Sequence, residues 1–164
     1  MTGIRNLALV LAATASLALT AGSAQAQSGR MSIQQIGDAL TSYGKNTVND
    51  NGHTYYTVNC GNGNWKSSVV VSLSPSENVV WLTIDPSSLP DGKISPQALG
   101  NLLLKNEEIG PMFFSLDSSR KVRISYPVSN SGLTDVKLKA YVKELVNTAV
   151  DTMPLWDPAA LTQK

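Results

Sequence analysis

The chain has 164 residues, 42% of them hydrophobic, 15% charged and 6% aromatic, a balance that excludes a disordered tail, a collagen-like repeat or a long coiled coil. Thirteen Lys and Arg against twelve Asp and Glu leave a formal charge of +1 with no basic or acidic block, so nucleic acid, which needs a concentrated basic face, is not expected as a partner. One histidine and one cysteine exclude most zinc sites and any intramolecular disulfide framework.

Residues 1–26 read as a secretory signal peptide. Arg5 gives a short positive start, residues 7–21 (LALVLAATASLALTA) carry no charge, and Ala24-Gln25-Ala26 supplies the small-x-small pattern that signal peptidase cleaves. A membrane-spanning helix needs about 20 apolar residues; this run is shorter and rich in Ala and Thr. The expectation is a cleaved leader, no transmembrane anchor in the mature form, and a periplasmic or secreted protein beginning near Gln27. Arg5 is the only charged residue lost, so twelve basic and twelve acidic side chains remain. Residues 27–164 suit one domain that buries roughly two thirds of its unfolded surface.

Ser32 starts a helix, with Gln35 three residues on completing a capping-box pattern, apolar Ile33, Ile36, Leu40 and Tyr43 at helical spacing, and Gly44 as the stop. Asn51-Gly52 marks a turn before the strand 53–60, and Gly61-Asn62-Gly63-Asn64 reads as a hairpin connection into the strand 65–73. Pro75 lies in the turn to the strand 79–84, so three strands follow one another as an antiparallel meander. Residues 85–93 (DPSSLPDGK) form a polar loop. Ser95 caps a second helix with Pro96 at its first position, and Leu99, Leu102 and Leu103 give it an apolar side that Leu104 broadens beyond one stripe.

After Gly110-Pro111 the period becomes alternating. Met112, Phe114 and Leu116 point one way, residues 117–120 turn, and Val122, Ile124 and Tyr126 answer from the return strand. Thr134 caps the longest helix, whose stripe of Leu138, Tyr141, Val142, Leu145, Ala149 and Met153 is the clearest periodic signal in the chain. Pro154 ends it, and residues 156–164 read as a tail. Trp156 there either caps the core or reaches a neighbour. The fold class expected is α+β: a single domain ordered helix, three strands, helix, two strands, helix, with an antiparallel sheet and helices packed on one face.

The strand phases put Tyr56, Val58, Cys60, Trp65, Val69, Val71, Leu73, Val80, Leu82 and Ile84 inward. The opposite face then carries His53, Tyr55, Thr57, Val70, Val79, Trp81, Phe113, Lys121 and Arg123. Tyr55, Val70, Trp81 and Phe113 are much apolar surface for a solvated face, and such a patch marks an interface unless the second helix covers it. These four are the candidate binding residues.

Chemistry is scarce. His53 is the sole imidazole, no G-x-S-x-G elbow occurs, and His53 and Cys60 lie on opposite faces of one strand, roughly 23 Å apart when extended. Glu107 and Glu108 are neighbours that diverge, while Asp85, Asp91 and Asp117 sit in turns where Asp bonds its own backbone. Calcium-loop spacing and a complete phosphate loop are absent. No catalytic residue, metal or cofactor is expected. Cys60 reads as a buried hydrophobe rather than half of an intermolecular bridge. Arg120, Lys121 and Arg123 form a basic cluster, read as guarding a sheet edge rather than docking an acidic segment.

Leu102-Leu103-Leu104-Lys105-Asn106, Phe113-Phe114-Ser115-Leu116-Asp117, Val122-Arg123-Ile124 and the long final helix together resemble the YbjN-like family, bacterial sensory-transduction-regulator domains similar in fold to type III secretion chaperones. The resemblance runs from Met31 to about Met153 and consists of packing positions. It implies an α+β domain, often dimeric, that holds segments of other proteins and has no catalytic residues to carry over. Secretion chaperones work in the cytoplasm, whereas the leader here implies export. The function expected is an exported, non-enzymatic protein- or peptide-binding module, homodimeric; the alternative is an envelope protein that binds a small ligand or glycan on Tyr55 and Trp81.

Overall fold

Alternation in the central segments and helical periodicity at the flanks produce one antiparallel sheet with helices on a single side. The computed structural model describes residues 29–62, 65–88, 94–119 and 121–162; the leader expected at 1–26, the tip of the Gly61–Asn64 connection, much of the 85–93 loop and Arg120 lie outside the described residues. The elements are α1 (Ile33–Ala39), a 3-10 turn (Thr41–Tyr43), β1 (Asn46–Asp50), β2 (His53–Asn62), β3 (Trp65–Leu73), β4 (Val79–Ser88), α2 (Pro96–Ile109), β5 (Phe113–Leu116), β6 (Lys121–Ser129), α3 (Asp135–Asp151), α4 (Met153–Trp156) and α5 (Pro158–Thr162). The six strands lie in the order β1-β2-β3-β4-β6-β5, with antiparallel pairing throughout. The fold is a single α+β domain, as the periodicity implied.

All three expected helix starts are capped as read. Ser32 Oγ accepts from the Gln35 N–H at 3.2 Å while Gln35 returns a carbonyl to the Ser32 N–H at 2.8 Å; Ser95 and Thr134 accept from Ala98 and Lys137. Gly44 closes the first helical segment in the left-handed region at φ 66°.

Three elements were not expected. β1 (NTVND) is polar, and its strand character comes from pairing with β2 across Asn51-Gly52, both at positive φ as a two-residue hairpin turn requires. The supposed tail is instead α4 and α5, which bury Trp156 and Leu161. The strand expected to stop at 84 runs to Ser88 through a register shift between Ile84 and Ser87, where Pro86 has no N–H to give the ladder.

The inward phase is as expected. Val58, Val69, Val71, Val80, Leu82 and Ile84 are fully buried, with Val122, Ile124, Leu138 and Leu145 answering from β6 and α3. α1 lies close on β2: a Cβ on Gly37 would meet the Tyr56 ring, which also carries Lys45 Nζ 4.9 Å above its centroid.

One titration follows from this packing. Tyr126 lies edge-on to Tyr141 and donates its hydroxyl to Glu144 at 3.1 Å; burial, then the Glu144 bond, push its pKa up to about 12. The neutral phenol is the form the fold favours, so this contribution is complete below pH 10 and is lost as pH rises toward 12. Tyr126→Phe should cost about 1 kcal/mol at neutral pH and lessen the fall in stability between pH 10 and 12. Urea unfolding across that range measures it; identical alkaline slopes for both proteins would refute the assignment.

Candidate functional site

The expected binding residues are set by strand register. Tyr55 of β2 stands opposite Ser72 of β3, Ser72 opposite Trp81 of β4, and Trp81 opposite Pro127 of β6. The next row runs Thr57, Val70, Thr83, Ser125, Phe113. Val70 therefore sits diagonally between Tyr55 and Trp81, and Phe113 diagonally beyond Trp81, its ring edge-on to the indole with centroids 6.4 Å apart. Val48 extends the first row onto β1. Every described helix packs on the other side, including α2, which buries Ala98 and Leu102 in the core. The four residues thus form one oblique apolar strip on the uncovered face. Each is half-buried, because cross-strand neighbours shield part of each side chain.

The largest exposed apolar side chains lie elsewhere. Leu103 and Leu104 of α2 are 58% and 66% exposed, and Leu116 of β5 is 39% exposed. Leu103 and Leu116, with Leu99, Leu102 and Phe114, line a shallow groove between helix and strand. The sequence does not announce this site, because Leu99, Leu102 and Leu103 read together as one apolar side of α2. The signal was present in Leu104: four leucines in six positions overfill one helical stripe.

Arg123 overturns the edge-guard reading of the basic cluster. It stands on β6, which has β4 on one side and β5 on the other, so it guards no edge. Its guanidinium bridges Asp85 of β4, at 2.8 and 3.3 Å, and Asp117 of the β5–β6 turn, at 3.3 Å. The Asp85 bond above all raises its pKa further. Asp117 accepts from the N–H groups of Ser119 and Lys121 and from the Ser119 hydroxyl. Those bonds, Lys121 first, hold its carboxyl below the usual range. Arg123 is a clamp that ties β6 to β4 and to the β5–β6 turn at one end of the apolar strip.

His53 is exposed at the start of β2. Cys60 is a free, half-buried thiol whose pKa burial pushes up, a poor nucleophile. Among the described residues no group of three or more His, Cys, Asp or Glu is placed to hold a metal ion, and no helix is long and apolar enough to cross a membrane.

No protein-family model matches the chain, and no curated protein matches its sequence. Solved structures do. A chain of the heterodimeric ExoU–SpcU complex from the type III secretion system of Pseudomonas aeruginosa is 14% identical with a TM-score of 0.50, the match covering 74% of this chain and 97% of that one. A chain of the HopA1–SchA chaperone–effector complex is 18% identical with a TM-score of 0.50, covering 72% and 89%. At these identities the likeness is one of fold: the domain has a type III secretion chaperone-like architecture.

Proposed function

We propose that the chain is an exported, non-enzymatic module of YbjN-like type that binds non-globular segments of other proteins and works as a homodimer. The observation that carries the binding function is the oblique strip of Tyr55, Val70, Trp81 and Phe113 on the uncovered sheet face. A broad apolar strip of rings and methyl groups suits an extended or helical segment, which brings its own apolar side chains at regular spacing. The likeness to chains of chaperone–effector complexes supports the same reading, and the leader-like residues 1–26 support export.

Self-association falls on the separate α2–β5 end, where Leu103, Leu104 and Leu116 are exposed. Gly100 lies on the same helix one turn before Leu103 and Leu104. A mid-helix glycine costs roughly 0.5–1 kcal/mol against alanine, and a Cβ there would meet nothing within 4 Å. Close approach of a second copy's helix would make use of both the glycine and the leucines.

One experiment separates the two surfaces. Binding to a permanently unfolded protein, reduced and carboxymethylated α-lactalbumin, is titrated alongside solution mass by light scattering. Trp81→Ser and Phe113→Ser should each weaken binding about tenfold, a loss of ~1.4 kcal/mol, with mass unchanged. Leu104→Lys should halve the mass and leave the fold intact. If the sheet-face variants unfold as readily as the core variant Leu145→Ala, the strip is core and the binding role fails. A wild-type monomer would remove the homodimer. For the small-ligand alternative, sugars rather than the unfolded protein should shift the Trp81 emission.

A further inference from the structure

The sheet has two edge strands, β1 and β5, and an edge strand presents backbone groups to which another chain can add. At Phe114, in the middle of the short strand β5, those groups are taken. The Phe114 N–H donates to Asn106 Oδ1 at 2.6 Å, and Asn106 Nδ2 donates to the Phe114 carbonyl at 3.3 Å. An antiparallel neighbour would exchange the same pair of bonds with Phe114. The Asn106 amide therefore stands where a seventh strand would be. Two residues earlier, just before β5, the Met112 N–H donates to the Ile109 carbonyl at 3.0 Å, so α2 satisfies the N–H groups of Met112 and Phe114. Asn106 reaches this position because it follows Ala98 and Leu102 at four-residue spacing on the inward stripe of α2.

We infer that Asn106 locks the backbone edge of β5, so that the α2–β5 end of the sheet takes partners through side chains alone and cannot be extended by an added strand. The lock stands for a monomer or a dimer, so it does not rest on the homodimer reading. The exposed Leu103, Leu104 and Leu116 lie beside an edge that would otherwise be open to strand-to-strand pairing with another copy.

The test uses the purified protein in two measurements. In wild type, amide hydrogen exchange at Phe114 should be at least about 100-fold slower than at Thr47 and Asn49, whose amides point outward on the opposite edge strand. In sedimentation velocity over a tenfold concentration range, wild type should hold one discrete size. Asn106→Ala should instead give larger species whose share grows with concentration. A folded Asn106→Ala protein with the wild-type size at every concentration overturns the inference, leaving Asn106 as a tie between helix and strand. Should that variant fail to fold, the wild-type exchange decides: Phe114 exchanging as fast as Thr47 and Asn49 overturns the lock, and strong protection upholds it. A wild-type monomer would retire the homodimer without touching either readout.

Discussion

Asn130→Ala should destabilise the domain by about 3–5 kcal/mol, at a cost on the order of 1–3 kcal/mol for each buried backbone group left without its partner. Asn130 is fully buried at the end of β6, and all of its amide is in use. Its Oδ1 accepts from the Met31 N–H at 2.9 Å, while Nδ2 donates to the Met31 carbonyl at 2.9 Å and to the Glu77 carbonyl at 2.8 Å. Its own N–H bonds the Asn78 carbonyl at 2.8 Å. One side chain thus joins Met31, just before α1, and the β3–β4 turn to the end of β6. Alanine would leave three backbone groups without their side-chain partner. Urea unfolding followed by far-UV circular dichroism gives the measurement; a loss below about 1 kcal/mol would mean that the segment at Met31 is not held by this residue.

Asn130→Asp sharpens the test through its pH dependence. A carboxylate keeps the bond from Met31 N–H but has no proton to give the two carbonyls, and it meets their negative ends instead. Its folded pKa must therefore rise above the ordinary value. The sign follows: the protonated acid restores one donor, so the variant recovers stability at low pH and loses it as pH rises through the raised pKa. Relative to wild type, Asn130→Asp should be closer in stability at pH 4 than at pH 7. Equal differences at the two pH values would show that the amide donors are not the source of the effect.

Legibility in the sequence divided along the kind of signal each element carries. Strands β2 to β6 and helices α2 and α3 announce themselves by period, because half of each is pressed into a core and only apolar residues survive there. Asn46–Asp50 has no such half: Val48 is its one apolar residue, and only the register across Asn51-Gly52 makes it a strand. The same limit applied to the interaction surface. Alternation placed Tyr55, Val70, Trp81 and Phe113 on one face, but could not tell how far neighbouring side chains shield them or that Arg123 would be neutralised by Asp85 of the adjacent strand and Asp117 of the β5–β6 turn. Asn106 shows the limit from the other side. An Asn on an inward helical stripe is a poor helix former in a costly place, a conflict that resolves only when Phe114 of another element is seen to need both halves of its amide.

The C-terminal residues were the most costly misreading, and Trp156→Ala measures how costly: a loss of about 3–5 kcal/mol, the usual range for truncating a buried Trp. Pro154 suggested a helix end with a tail beyond it, since proline ends a long helix. Here each short helix takes its proline in the first turn, where no N–H is needed, and the two helices fold back over α2. Trp156 is nearly inaccessible; its Nε1–H donates to the Ala149 carbonyl at 2.9 Å, and its ring lies 5.7 Å from that of Trp65. Leu161 is fully buried, and its carbonyl accepts from Ser95, the cap of α2, at 3.0 Å. Removing the indole therefore empties a site between β3 and the end of α3 and loosens the support on which α2 rests. Because α2 carries both the exposed leucines and Asn106, Trp156→Ala should also speed amide exchange at Phe114, whereas Leu145→Ala at equal loss of stability should not do so locally. A stability loss under about 1 kcal/mol, or exchange at Phe114 that follows global unfolding alike in both variants, would return the C-terminal residues to the status of a tail.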